Sequence, residues 1–94
     1  MKQERSPPLI SLFILKFTPK SQKQLKFLSP QFRQQYQKAF QLLSNQGPHY
    51  RSLRTHRYHQ KKGTIWGSSA SMFLRFYWDY EEASIILILF LDSH

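Results

Sequence analysis

The sequence predicts an α+β fold in the order β-α-α-β-β-β, with an antiparallel sheet and a two-helix pair packed on one of its faces. Three observations predict it. Between Pro30 and Asn45 the apolar residues Phe32, Tyr36, Ala39, Phe40 and Leu43 fall on one face of an α-helix, opposite Gln34, Gln35, Lys38 and Gln41. On both sides of the helical region, Leu9 to Phe17 and Tyr50 to Leu91 are rich in β-branched and aromatic residues and broken by polar turns. At 94 residues the chain has room for one domain with a modest core, so residues 1–94 are expected to form a single unit with 1–8 flexible.

Leu9 to Phe17 (LISLFILKF) reads as the first strand, ended by Thr18-Pro19. Thr18 or Ser21 is placed to cap a short helix, Lys20 to Leu28, with Leu25 and Leu28 inward. Ser29-Pro30 interrupts it, because proline disfavours helix in the residue before it, and Ser29 then caps the second helix. Asn45-Gln46-Gly47-Pro48 ends that helix. The second strand is expected over Tyr50 to Tyr58, where alternation puts Ser52, Arg54, His56 and Tyr58 on one face. His59 to Gly63 is its turn. The third strand, Thr64 to Trp78, is read as one long strand interrupted near Gly67-Ser68-Ser69 by a bulge. Met72, Leu74, Phe76 and Trp78 share one of its faces, and Phe73, Arg75 and Tyr77 the other. Asp79 to Glu82 makes the next turn. Ile85 to Leu91, apolar on both faces, is a central or helix-covered fourth strand.

Charge narrows the function. The net charge is +9, and from Arg5 to Trp78 there is no Asp or Glu while thirteen Lys and Arg fall in that span. Such a surface predicts an anionic partner, nucleic acid or an acidic protein. There are no cysteines, which excludes disulfides and thiolate metal sites. His56 and His59 are three apart and on a strand would face opposite ways, so no metal site is expected. No apolar run reaches the roughly 18 residues of a membrane helix. The apolar run after Pro7-Pro8 is followed by no small-residue cleavage site, so a cytoplasmic setting without membrane partners is expected.

Ser52-Leu53-Arg54, His56, Trp66, Arg75 and a terminal Ser93-His94, met in that order across Leu9 to His94, resemble the RelE/ParE toxin superfamily of bacterial toxin–antitoxin modules. The resemblance implies a small α+β toxin silenced by a cognate acidic antitoxin. Many members are ribonucleases that cut mRNA in the ribosome, which is the activity expected here; others of the same fold inhibit DNA gyrase, and the alternative is such a non-catalytic toxin or a decayed toxin that only binds its antitoxin. In the family an acidic residue and an aromatic usually follow the Ser-His. Here His94 comes last, and a carboxylate beside its imidazole is expected to favour the protonated form.

Metal-independent RNA cleavage needs a base for the 2′-OH, an acid for the leaving oxygen and positive charge for the phosphorane. The acid-free span leaves His or cationic chemistry, with no cofactor required. Arg75, mid-strand on the non-core face, offers a planar fork for phosphate. With the resemblance, His56, His94 and Arg54 complete the candidate catalytic set. Arg51, Arg57, Lys61 and Lys62 are candidates for holding backbone phosphates, and Tyr77 for stacking on a base.

Overall fold

The computed structural model describes residues 12–93. The first strand, β1 (Ile14–Phe17), leads through Thr18 into α1 (Pro19–Lys26) and, after Ser29, into α2 (Pro30–Gln46). A 3-10 turn at Arg51–Leu53 follows, and then four strands: β2 (His56–Gln60), β3 (Gly63–Ser69), β4 (Leu74–Glu82) and β5 (Ile85–Ser93). They form one five-stranded sheet in the order β1-β5-β4-β3-β2, antiparallel except where β1 lies parallel to β5. Two helices on a mostly antiparallel sheet make the expected α+β arrangement. Of the expected first strand, Leu9 to Ser11 lies outside the described residues, as does the flexible segment 1–8.

Both caps are formed as the sequence suggests. The Thr18 side chain accepts from the Ser21 amide, the Ser29 side chain accepts from the Phe32 amide, and Gly47 closes α2 with φ 88°. Arg33 of α2 binds the two helices together. Its guanidinium donates to the carbonyls of Leu25, Lys26 and Leu28, at and just beyond the end of α1.

The core forms between the helix pair and one sheet face. Tyr36, Ala39, Phe40 and Leu43 of α2 are buried with Leu74, Phe76 and Trp78 of β4 and Ile86, Ile88 and Leu91 of β5. Phe40 meets Phe76 edge-on at 5.1 Å and Phe17 at 5.2 Å. Phe32, at the start of the apolar stripe, stays exposed.

Three expectations are corrected. Asp79 to Glu82, expected to make a turn, is the end of β4, and the turn falls at 83–84. Tyr50 to Leu53 is not strand: Arg51–Leu53 is a 3-10 turn that buries Leu53, and Arg54 follows in the left-handed region at φ 47°, ψ 52°. Arg54 therefore does not share a strand face with His56. The long third strand is two strands, β3 and β4, with a hairpin at 70–73 between them. Met72, placed with the core residues by alternation, sits in that hairpin and is 88% exposed.

Candidate functional site

The hairpin at 70–73, the 3-10 turn and one side of α2 enclose an open cavity of about 640 Å³. Leu42, Leu53, Ala70 and Met72 supply apolar lining; Lys38, Arg54 and Arg75 supply positive charge. None of its lining residues is acidic. Two separate sequence stretches thus bring Arg54 and Arg75 to one cavity.

A chain of hydroxyls holds the Arg54 segment in place. Thr55 Oγ1 donates to the Pro48 carbonyl at 2.6 Å, which uses its only proton. The Ser68 hydroxyl, 2.8 Å away, must therefore donate to Thr55, and it accepts the Trp78 indole N–H at 2.9 Å. Pro48, Thr55, Ser68 and Trp78 are linked from the end of α2 to the buried face of β4. Arg54 is locked beside this chain. Its left-handed backbone costs a non-glycine residue roughly 1–2 kcal/mol, and the buried Leu53 before it and the bonded Thr55 after it hold that conformation.

Arg75 is fixed from both sides. On β4 its neighbours Leu74 and Phe76 point into the core, so it faces the open side of the sheet, half-buried. Its Nη1 lies 3.4 Å from the Tyr58 hydroxyl. Beneath it, the Tyr36 hydroxyl bonds to the carbonyls of Arg75 at 2.9 Å and Asp92 at 3.1 Å, joining α2 to the β4–β5 pair. Asp92 is the direct cross-strand partner of Arg75. Sequence reasoning missed it, because the acid-free span ends before β5. The signal was available: the register starting at Glu82↔Ile85 returns unchanged at Tyr77↔Phe90, since an extra residue in each strand cancels, and so carries Asp92 to Arg75. Tyr77 lies on the same side. Burial foremost, then the Tyr58 hydroxyl and the Asp92 charge, raise its pKa above the usual phenol value, against the lowering pull of Arg75.

The remaining candidates are scattered. His56 is exposed on the open face, opposite Gly67. Arg57 turns to the other side, its guanidinium 5.8 Å from the Trp66 ring. Arg51 is exposed on the 3-10 turn and lines a smaller recess with Arg54. Lys61 and Lys62 occupy the β2–β3 turn, at the end of the sheet away from the 70–73 hairpin. His94 lies outside the described residues; Ser93 before it pairs with Leu74, at the cavity end. Among the described residues, no group of three or more His, Asp or Glu gathers in a way that would hold a metal, and no helix is long and apolar enough to cross a membrane.

No protein-family model matches the chain, and no curated protein matches it. Solved structures do. The archaeal RelE–RelB complex from Pyrococcus horikoshii OT3 superposes with a TM-score of 0.70 at 12% identity, over 87% of this chain and 94% of that one. A YoeB/ParE toxin from Agrobacterium tumefaciens gives 0.71 at 11% identity, over 85% and 96%. The toxin–antitoxin complex RelBE2 from Mycobacterium tuberculosis gives 0.70 at 18% identity, over 87% and 98%. At such identities the likeness speaks to the backbone, and it spans almost the whole of each neighbour. By fold, this chain is RelE/ParE-like.

Proposed function

We propose that this chain is the toxin of a toxin–antitoxin module and that it cuts mRNA on the ribosome without a metal. The observation that carries the reading is the meeting of Arg54 and Arg75 at one acid-free cavity. Its volume lies in the range of small-molecule sites, about 300–1,000 Å³. Arg75 is the group for the charge that develops on the phosphorane, since its fork matches two phosphate oxygens. Arg54, locked by its turn, positions the phosphate. His56 or His94 takes the proton from the 2′-OH; the freed oxygen attacks phosphorus; the protonated partner returns a proton to the leaving 5′ oxygen. The products are a 2′,3′-cyclic phosphate and a free 5′-hydroxyl. A cognate acidic antitoxin would suit the same positive surface, and four of the structural neighbours are themselves complexes with an antitoxin, RelB or YefM.

The test is primer extension on mRNA after induced expression, wild type beside Arg75→Ala. Wild type is expected to produce new 5′ ends and growth arrest. Arg75→Ala is expected to lower cleavage by about 10²–10³-fold, the usual cost of removing one donor to a transition-state oxyanion. Growth arrest with intact mRNA would refute cleavage, and DNA-damage signalling in those cells would point to DNA gyrase as the target.

A further inference from the structure

To meet the charge on a phosphorane, Arg75 must hold one pose, and a long side chain in mid-strand has many rotamers to lose. Tyr58, which has no part in the chemistry proposed above, stands where it can fix that pose. Directly opposed residues of neighbouring strands point to the same side. The pairs His56↔Gly67 and Gly67↔Tyr77 set one row across β2, β3 and β4. Tyr58 and Arg75, each two residues from that row, lie on the same side as it. They belong to β2 and β4, which are two strand spacings apart, ordinarily about 10 Å. Even so, Arg75 Nη1 lies 3.4 Å from the Tyr58 hydroxyl.

The gap is bridged because the residue between the two strands is glycine. A Cβ on Gly67 would stand 2.6 Å from the Tyr58 ring and 2.8 Å from the Tyr77 ring. The requirement here is space, not backbone freedom. Over Gly67 the two rings meet edge to face, with centroids 5.7 Å apart and planes at 67°. On the β5 side, Phe90 stacks on Tyr77 at 4.8 Å and 24°. Tyr58 is thus buttressed across three strands, and its oxygen is carried toward Arg75. A guanidinium only donates, so the Tyr58 oxygen is the acceptor. Among the described residues Tyr58 is the one hydrogen-bond partner of that guanidinium. Arg75 also lines the cavity, so one nitrogen of its fork is held while the rest can serve a phosphate there. Ring packing alone would be met by phenylalanine; the hydroxyl is what reaches Arg75.

We propose that Tyr58 is a positioning residue for Arg75, and that the missing side chain at Gly67 is what lets it reach. The catalytic consequence rests on the ribonuclease reading above; the orienting of Arg75 does not. Tyr58 touches neither RNA nor the reacting atoms in this scheme. It acts by holding the guanidinium in the pose that the phosphorane meets.

The test is Tyr58→Phe, which keeps the ring and deletes the hydroxyl. The first readout needs no RNA: the NMR order parameter of the Arg75 Nε–H bond in the full chain, its signal assigned by loss in Arg75→Lys. It is expected to fall from the rigid range, about 0.85, to below about 0.6. Gly67→Ala, which pushes the ring away instead, should do the same. Tyr80→Phe, whose ring packs on Trp66 on the helix side, should leave it as in wild type. The second readout is cleavage of mRNA on purified ribosomes. In Tyr58→Phe, kcat should fall about 10- to 100-fold with KM unchanged, since a misplacement of about 1 Å costs up to about 10²-fold. In an Arg75→Ala background the same change should cost nothing further, because the pair acts as a unit. An Arg75 that stays rigid in Tyr58→Phe would overturn the proposal. So would a wild-type kcat, or losses that multiply in the double variant. The two readings fail separately. If wild type cuts mRNA and Tyr58→Phe cuts as fast, the positioning role falls and the nuclease stands. If wild type cuts nothing but Arg75 loosens in Tyr58→Phe, the nuclease falls and the orienting of Arg75 stands.

Discussion

Tyr36 shows how much one side chain carries. It is 1% exposed, and its hydroxyl holds the backbone at Arg75 and Asp92, the two residues that face each other at the site. Burial, and after it the charge of Asp92, pushes its pKa up to about 12 from 10.0. Because the folded-state value is the higher one, the folded chain keeps a proton that the unfolded chain gives up above pH 10. The stabilisation is complete below pH 10 and is lost as pH rises toward 12, at up to about 1.4 kcal/mol per pH unit. Tyr77 and Tyr80 are also raised, chiefly by burial, but they are common to wild type and a Tyr36→Phe variant and cancel in the comparison. Urea unfolding across pH 9 to 12 should therefore show wild type losing stability faster than Tyr36→Phe. At neutral pH the variant should be weaker by about 1 kcal/mol, one hydrogen bond's net worth. Parallel pH curves for the two proteins would show that Tyr36 does not titrate as argued. The aromatic stripe that buries Tyr36 was legible from helical spacing. The use of its hydroxyl was not, since nothing in a period of 3.6 says which carbonyls will lie beneath.

Elements differ in how plainly they announce themselves. The second helix, both N-caps and the interior strand β5 follow from patterns of one kind each: spacing, a capping hydroxyl before proline, and an apolar run. The 70–73 hairpin hides because it has no Gly, Pro or Asn, and because the period-2 pattern of Leu74, Phe76 and Trp78 extends back through Met72. Its turn is made by a side chain. Ser71 Oγ accepts from the amides of Phe73 and Leu74, both at 3.2 Å, which is what serine does more weakly than aspartate in turns. The 3-10 turn before β2 is hidden for a similar reason. Alternation in Ser52, Arg54 and His56 fits a strand, while the actual segment is set by burial of Leu53 and by the Thr55–Ser68 bond. That bond can be tested. Ser68→Ala leaves the Trp78 N–H without its acceptor in the core and frees Thr55, so stability should fall by about 1–3 kcal/mol. The Arg54 segment should also loosen, seen as faster amide exchange over residues 49–55 while α2 stays protected. Stability lost with that segment still protected would mean the hydroxyl chain does not hold it.

For the whole molecule, the absence of acids over most of the chain matters through where the few acids fall. Asp79, Glu81 and Glu82 lie in the last stretch of β4, before the β4–β5 turn, and Glu81 pairs there with Lys16 at 3.2 Å. The cavity lies at the opposite end of the sheet, by the 70–73 hairpin. Lys61 and Lys62, at the β2–β3 turn, share the end with those acids. A charge count along the sequence cannot separate the two ends, since Lys61 and Lys62 lie midway between Arg54 and Arg75 in the chain. The sheet separates them, because β2 and β3 fold back on each other. Each cation that neutralises a phosphate releases counterions, so the logarithm of single-strand affinity should fall with the logarithm of salt by about 0.7 per phosphate contact. Removing a contacting cation should flatten that slope by about the same amount. Lys38→Ala and Arg54→Ala, at the cavity, are expected to do so. Lys61→Ala with Lys62→Ala is expected to leave the slope as in wild type, although it removes more charge than either single change. The measurement is the salt titration of RNA anisotropy for the four proteins. A flattened slope in the lysine double variant would mean that RNA runs the length of the sheet to the β2–β3 turn, and that the cavity end is not where the phosphates are held.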